Sequence, residues 1–462
     1  MSNSRLMSHQ TLEDALEAAG NPVQRLRNSQ IGPYAFPVVR SEFTNWRDEQ
    51  RAWKESCALL DQSHHMTDLY IEGPDALRVL SDLAINSFKS FKVNQAKQFV
   101  ACSHSGHVIG DAILFFLDEN KLSLVGRPPA INWVQFHVET GGYTATAERD
   151  ERSAMNQGRR KTYRYQIQGP HAVRTMEKVT GRQAPDIRFF HMDVFTIAGR
   201  KVRALRHGMV GQPGWELFGP WEDGEAVRDA IVAAGQEFGI RQVGSRAYPT
   251  TCLESGWIPS PLPAIYTGDE LKRYRQWLTN KSYEAMASLG GSFYSDKITD
   301  YYLTPYDLGY GPFVKFDHDF IGRAALEKIA DNQPRKKVTL VWNGEDVAKA
   351  FGSLFHGGDI EKYIDLPLAN YATLPFDKVV KDGKTVGLST YTGYTYNERT
   401  MLSLGVVDGA HAEPGTQVTV VWGEEGRGST KPTVERHSQA HIRATVAAVP
   451  YAEVARIAYR PH

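Results

Sequence analysis

Hydrophobic periodicity along this 462-residue chain changes once, near residue 335, and that change limits the fold more than any single motif. Before it, strand-like alternation such as Thr67-Asp68-Leu69-Tyr70-Ile71-Glu72 interleaves with stretches of helical spacing such as Pro74 to Leu83. After it, runs such as Val338-Thr339-Leu340-Val341-Trp342 and Gln417-Val418-Thr419-Val420-Val421-Trp422 repeat every second residue. The first part predicts an α+β arrangement, not a doubly wound sheet, and the second a separate antiparallel C-terminal β domain.

Local signals fill in this outline. Thr11 to Gly20 has a capping residue, early acids and a closing glycine, so it predicts a short helix. Arg47 to Ala58 and Pro129 to Thr140 predict further helices, Gln98 to Val125 two or three strands, and Tyr163 to Gly169 another strand. Asp150 to Lys161 is dense in charge and reads as a solvated linker. Residues 257–312, rich in proline, glycine and tyrosine, read as a long functional loop, and Gly322 to Ile329 as a helix.

Lys+Arg and Asp+Glu both total 53, so the basic excess that neutralises phosphates in nucleic-acid binders is missing. Cys57, Cys102 and Cys252 are too scattered for a disulfide framework or a CxxC metal site. The polar start, Met1 to Gln10, is unlike a signal peptide, and no apolar run is long enough to span a bilayer. A cytoplasmic protein that binds neither nucleic acid nor membrane is expected. Phosphate-loop, dinucleotide, nucleophile-elbow and HExxH motifs do not occur. His64 and His65 are neighbours on a strand, so at most one can serve a given site, and no metal is expected.

Four polar segments interrupt the apolar pattern: Leu60-Asp61-Gln62-Ser63-His64-His65-Met66, Gly106 to Leu114 around Gly110-Asp111, His207 to Leu217 around Gly214-Trp215-Glu216, and Gly244 to Trp257. In this order, with Gln168-Gly169-Pro170 and Phe320-Ile321-Gly322-Arg323, the chain resembles the glycine-cleavage T-protein (aminomethyltransferase) family over nearly its whole length. Arg27 to Gly32, Gly126-Arg127, Gly244 to Pro249 and Leu253 to Pro261 are similar to that family's folate-dependent aryl O-demethylase branch. The resemblance implies a three-domain T-protein fold. A folate-binding domain is expected over residues 1–66 and 160–256, a second α+β domain over 67–159, a connector over 257–334, and a β-barrel-like domain over 335–462. It also implies tetrahydrofolate as methyl acceptor and a small aromatic acid as donor.

Departures from the T-protein pattern favour that donor over an aminomethyl-lipoyl group. Tyr248 and Cys252 replace two arginines of the family, and Arg127 replaces a small neutral residue. A phenol, with an ordinary pKa of about 10, is matched to protonate a departing phenolate, a role expected of Tyr248. Arg127 is expected to grip the carboxylate with its guanidinium fork. Gln62 and His65 are implied by the branch to orient the ether and phenolic oxygens, with His65 in the catalytic set. Glu216, an acceptor-only carboxylate, suits the N–H edge of a pterin. Trp257 is expected to pack against a folate or substrate ring, and Asp111 to lie near the folate. In Gly32-Pro33-Tyr34-Ala35-Phe36-Pro37, Tyr34 and Phe36 are expected at the substrate. Phe36 stands where relatives of vanillate-demethylase type carry tyrosine, which favours syringate, with vanillate or 3-O-methylgallate as alternatives. The rival readings are an aminomethyl or N-methyl transferase of glycine or sarcosine type and a non-enzymatic folate-binding protein.

Overall fold

The segment after Thr11 folds as its caps require: Leu12–Ala19 is helical, Thr11 Oγ accepts from the Asp14 amide, and the Asp14 carboxylate accepts from the Thr11 amide. A computed structural model describes residues 10–156, 159–259 and 261–457. Met1 to His9 of the polar start, and Ser260 of the Leu253–Pro261 segment, lie outside the described residues. A second helix, Pro22–Asn28, is capped by Asn21 and went unread because seven residues give too little periodicity.

The helix expected over Arg47 to Ala58 is corrected at its end. It spans Trp46–Glu55, and Cys57–Asp61 is a strand. Cys57, Ala58, Leu59 and Leu60 are all buried, so this strand is apolar on both faces and has no alternation to reveal it. It sits inside a six-stranded sheet ordered Ile240–Val243, Cys57–Asp61, Thr162–Gln168, Gly214–Pro220, Arg200–Arg206, Met192–Ile197. Only the first of these pairings is parallel. Gln62, just past Cys57–Asp61, and Glu216, within Gly214–Pro220, are far apart in sequence and thereby brought to one sheet.

A five-stranded antiparallel sheet is ordered Ala96–Cys102, Val108–Asp118, Lys121–Gly126, Thr67–Glu72, Thr146–Asp150. The Pro128–Thr140 helix lies on it and buries Ile131, Trp133 and Val134. A Cβ at Gly110 would stand 2.8 Å from the Ala130 amide nitrogen, so glycine there lets the helix approach the strand that carries Asp111. Residues 257–312 contain the short helices Lys272–Trp277 and Tyr283–Met286, and their irregular backbone is well packed: Leu262, Tyr274 and Tyr301 are buried. The C-terminal strands form a closed antiparallel barrel of six, from Arg335–Trp342 to Ala440–Ala447.

Asp150 to Lys161, of which Gln157 and Gly158 lie outside the described residues, is only in part the solvated linker its composition suggested: Ala154, Met155, Arg159 and Lys161 are exposed, but Asp150 and Arg160 are not. Arg160 is buried, with Nη2 2.6 Å from Asp68 Oδ2 and Nε 3.1 Å from Asp150 Oδ2. Its Nη1 donates to the Ser63 and Met66 carbonyls. Charge density reads as solvated only when partners are local; here Asp68 lies on a strand laid down much earlier. Among the described residues no helix is long and apolar enough to cross a membrane.

Candidate active site

A cavity of about 1550 Å³ opens among the two sheets, the connector and the barrel. Phe36, Gln62, His65, Asp111, Arg127, Glu216, Tyr248 and Trp257 all line it; Tyr34 does not. The turn after Cys57–Asp61 is pinned by Gln62 N donating to the Arg164 carbonyl and Ser63 N donating to Asp61 Oδ1. Gln62 and His65 therefore face the cavity. His64 turns away to Ser153 Oγ, 2.8 Å from its Nδ1, and lines a smaller pocket with Asp61.

Three rings close the inner end. Centroids of Phe36 and His65 are 4.7 Å apart, of His65 and Tyr248 4.9 Å, and of Phe36 and Tyr248 5.3 Å. Tyr248 begins the 3-10 turn Tyr248–Thr250, held by its amide donating to the Gly244 carbonyl. Its hydroxyl accepts from Gln62 Nε2 at 3.2 Å, and the same amide nitrogen meets Met209 Sδ at 3.3 Å. Gln62 Oε1 is buried with no hydrogen-bond partner in the protein, an acceptor left for a ligand donor. Burial pushes the Tyr248 phenol above its ordinary range, so it stays protonated at neutral pH.

Burial, reinforced by the Arg127 charge, pushes His65 down to about 3, so its imidazole is neutral. Because the unfolded chain takes up that proton near pH 6.5 and the folded one near 3, stability held above pH 6.5 is lost as pH falls through that window. At pH 5 the loss from this one group is about 2 kcal/mol. Urea denaturation at pH 7 and pH 5 should give a smaller pH effect for His65→Gln than for the parent; equal effects would contradict the burial of a neutral ring.

Arg127 ends the Lys121–Gly126 strand and precedes the Pro128–Thr140 helix. Its guanidinium lies 4.2 Å from the centroid of Tyr34, whose hydroxyl donates to the His65 carbonyl. Tyr34 thus contacts both Arg127 and the His65 carbonyl without lining the cavity. The Arg127 charge is felt at His65, Tyr248, Cys252 and Asp111.

Glu216 sits mid-strand, its Oε1 2.5 Å from Arg164 Nη1, while Arg164 Nη2 is 2.9 Å from Asp68 Oδ1. All three side chains are buried, and Phe115 and Phe218 flank the guanidinium at 4.9 and 4.8 Å. Burial raises the Glu216 pKa against the pull of Arg164, and the Glu216 charge is felt at Tyr248. Arg164, unread in the sequence, is the residue that pulls this carboxyl back towards its ionised form; its strand position gave no sign, since its partners lie on two other strands.

Asp111 Oδ2 accepts from Tyr310 Oη at 2.8 Å, Gln98 Nε2 at 2.8 Å and Trp257 Nε1 at 3.0 Å. Burial raises its pKa, opposed by Tyr310 and Trp257. Trp257 is thus tied to Asp111 through its indole nitrogen and lines the cavity. Sequence reasoning missed Tyr310 and Lys337. Lys337 donates to the Gly256 carbonyl at 2.9 Å and is pushed down to about 8 by burial.

The chain belongs to the glycine-cleavage T-protein (GCVT, aminomethyltransferase) family: the GCVT N-terminal domain family matches residues 15–260. It is 50% identical over 450 residues to the syringate O-demethylase of Sphingobium sp. (strain NBRC 103272 / SYK-6), covering 97% of each chain. It is 32% identical over 433 residues to the sesamin methylene transferase of Sinomonas sp. (strain No.22), covering 90% of this chain and 91% of that protein. The fold is similar to the crystal structure of glycine cleavage system aminomethyltransferase T from Bartonella henselae, with a TM-score of 0.60, 17% identity and 97% of both chains covered. The expected three-domain T-protein fold with a C-terminal antiparallel domain is the fold observed.

Proposed function

We propose that this protein is a tetrahydrofolate-dependent aryl O-demethylase that moves the methyl group of a methoxybenzoate, syringate before vanillate or 3-O-methylgallate, to N5 of tetrahydrofolate. The observation that carries the reading is the convergence of Tyr248, Gln62, His65, Phe36 and Arg127 on one cavity that Glu216 also lines. The 50% identity to a syringate O-demethylase supports it.

The residues fit a reduced pterin beside a methoxyarene. Glu216 is a carboxyl acceptor held by Arg164, Gln62 Oε1 lacks a protein donor, and about 1550 Å³ exceeds the roughly 300–1,000 Å³ of an ordinary small-molecule site. Tetrahydrofolate, held at Glu216 and Trp257, supplies N5 as methyl acceptor. The bond from methyl carbon to ether oxygen breaks, a bond to N5 forms, and the ether oxygen keeps the electron pair. Tyr248 gives its proton to that oxygen, and the proton that N5 sheds on methylation returns, through solvent, to restore the Tyr248 phenol; the Gln62 amide, by occupying a lone pair of the phenol, leaves the phenolic hydrogen to point at the substrate. Neutral His65 orients the neighbouring phenolic oxygen without competing as an acid. Arg127 fixes the ring through its carboxylate, so proximity supplies much of the rate. Phe36 offers an apolar face to a second methoxy group, the reason for placing syringate first.

Pure protein with tetrahydrofolate and each methoxybenzoate should give demethylated acid and 5-methyltetrahydrofolate, with the highest kcat/KM for syringate. Turnover with none of them would overturn the proposal. Arg127→Leu should raise KM for these acids about 10- to 100-fold, the cost of a lost charge-assisted hydrogen bond. Steady-state comparison with a methoxyphenol lacking the carboxylate should show no such change.

A further inference from the structure

A second cavity, of about 410 Å³, is built from the same three segments as the inner end of the first. Phe36, His65 and Tyr248 line the main cavity, and each has near neighbours in sequence that line the second. After Phe36 these are Val38, Val39, Arg40 and Phe43; beside His65 they are Asp61 and His64; before Tyr248 they are Gln242 and Val243. The first segment turns at Val38, whose φ is 72°, and the Val39 amide donates to the Pro37 carbonyl at 2.8 Å. A β-branched residue in that left-handed region, closing a three-residue turn, is strained. Such strain persists only where the surroundings fix the backbone, and it gathers at ligand sites. Here the Ser245 and Arg246 amides donate to the Arg40 and Ser41 carbonyls. Glu49 also accepts from the Phe43, Thr44 and Gly244 amides. The cavity is therefore preformed.

Phe43, Leu59 and Val243 give it apolar wall, and two polar groups on it stand open. Among the described residues Arg40 has no acid partner; its guanidinium lies 5.9 Å from the Phe43 ring centroid. Asp61 Oδ1 accepts from the Ser63 amide, but Oδ2 has no hydrogen-bond donor among the described residues, with His64 Nε2 3.6 Å away. Arg228 is already paired with Asp229 at 2.8 Å. One open cation and one open acceptor on an apolar wall suit a ring that bears a carboxylate and a hydroxyl. The volume is at the small end of ligand sites, the size for one ring.

We propose that this second cavity binds a single-ring hydroxybenzoate, its carboxylate on Arg40 and its hydroxyl donating to Asp61; the choice of ligand rests on the demethylase reading above. The incoming methoxy acid and the released catechol-type acid share this chemistry, and the experiment separates them. The site shares its supporting segments with Phe36, His65 and Tyr248, but none of its lining residues lines the main cavity.

The test is calorimetric titration of the full chain with gallate, syringate and unsubstituted benzoate. Two sites per chain are expected for gallate, and Arg127→Leu should weaken only one of them. In that background Arg40→Ala, a change at an exposed side chain, should weaken the other about tenfold. Benzoate, without a hydroxyl for Asp61, should bind there about fivefold less tightly than gallate. Arg40→Ala alone should leave kcat and KM for syringate within about twofold, since Arg40 does not line the main cavity. Tighter binding of gallate than of syringate at this site marks the product acid as its occupant, and the reverse marks the substrate. A single site that is lost with Arg127→Leu would overturn the inference. So would unchanged binding in Arg40→Ala, or tighter binding of glycine than of any hydroxybenzoate. If no methoxybenzoate is turned over, the demethylase reading fails by itself, and the titration still decides this site.

Discussion

Tyr248→Phe is expected to lower kcat about 10²- to 10⁴-fold while leaving KM for the methoxybenzoate within a few-fold. The phenylalanine keeps the ring contacts with Phe36 at 5.3 Å and His65 at 4.9 Å, so the substrate pocket keeps its shape. What disappears is one proton at the place where the leaving oxygen gathers charge. An interaction made only as the bond breaks is lost from kcat and from kcat/KM alike. Burial raises the pKa of Tyr248, which at first sight makes it a poorer acid. The departing phenolate forms beside the buried Tyr248, where its own basicity is raised for the same reason, so acid and base remain matched. The variant also strands the Gln62 amide, now without its phenolic acceptor, at a cost of about 1–3 kcal/mol in stability. Stopped-flow or steady-state rates, read beside a thermal melt, separate the two effects. A variant with nearly full kcat would remove Tyr248 from the acid role.

Arg164→Met should destabilise the protein by about 3–5 kcal/mol. The guanidinium bridges two buried carboxylates, Asp68 and Glu216, and its removal leaves Glu216 without its cation in low dielectric and Asp68 with Arg160 alone. Burial already raises the pKa of Glu216, with Arg164 as the opposing pull. Without that pull the carboxyl moves further towards its neutral form, and the acceptor offered to the pterin is lost along with stability. Arg164→Lys should recover little, because an ammonium cannot span two carboxylates with a fixed fork. Urea denaturation followed by tryptophan fluorescence gives the stability change, and fluorescence titration with tetrahydrofolate gives the affinity. A loss under about 1 kcal/mol, the size of an exposed ion pair, would contradict the account of a buried network.

The parts of this protein that were readable in the sequence share one property: their signals are local. The Thr11 cap, the glycine that ends each turn and the period-two barrel strands such as Gln417–Trp422 depend on neighbours within a few residues. Of the residues that line the cavity, Gln62, His65 and Tyr248 were singled out by motifs that resemble the family's, and Arg127 through its departure from the family's small neutral residue. What stayed hidden depends on partners distant in the chain. Cys57–Asp61 is a strand only because Thr162–Gln168 and Ile240–Val243 flank it. Arg160 is buried only because Asp68 waits for it. Tyr310 and Lys337 looked like loop and strand-start residues, and only the fold sets them beside Asp111 and Gly256. Tyr34 was expected at the substrate; it is not among the cavity-lining residues and contacts Arg127 and the His65 carbonyl.

The most direct test of methyl transfer within one chamber is a single-turnover reaction with syringate labelled with carbon-13 in its methoxy groups, excess protein and tetrahydrofolate, followed by NMR. The account predicts that each demethylated ring is matched by one labelled methyl group on folate N5, with no labelled formaldehyde. Labelled formaldehyde or a labelled methylene-folate in place of that methyl, or demethylation that proceeds equally without folate, would contradict it.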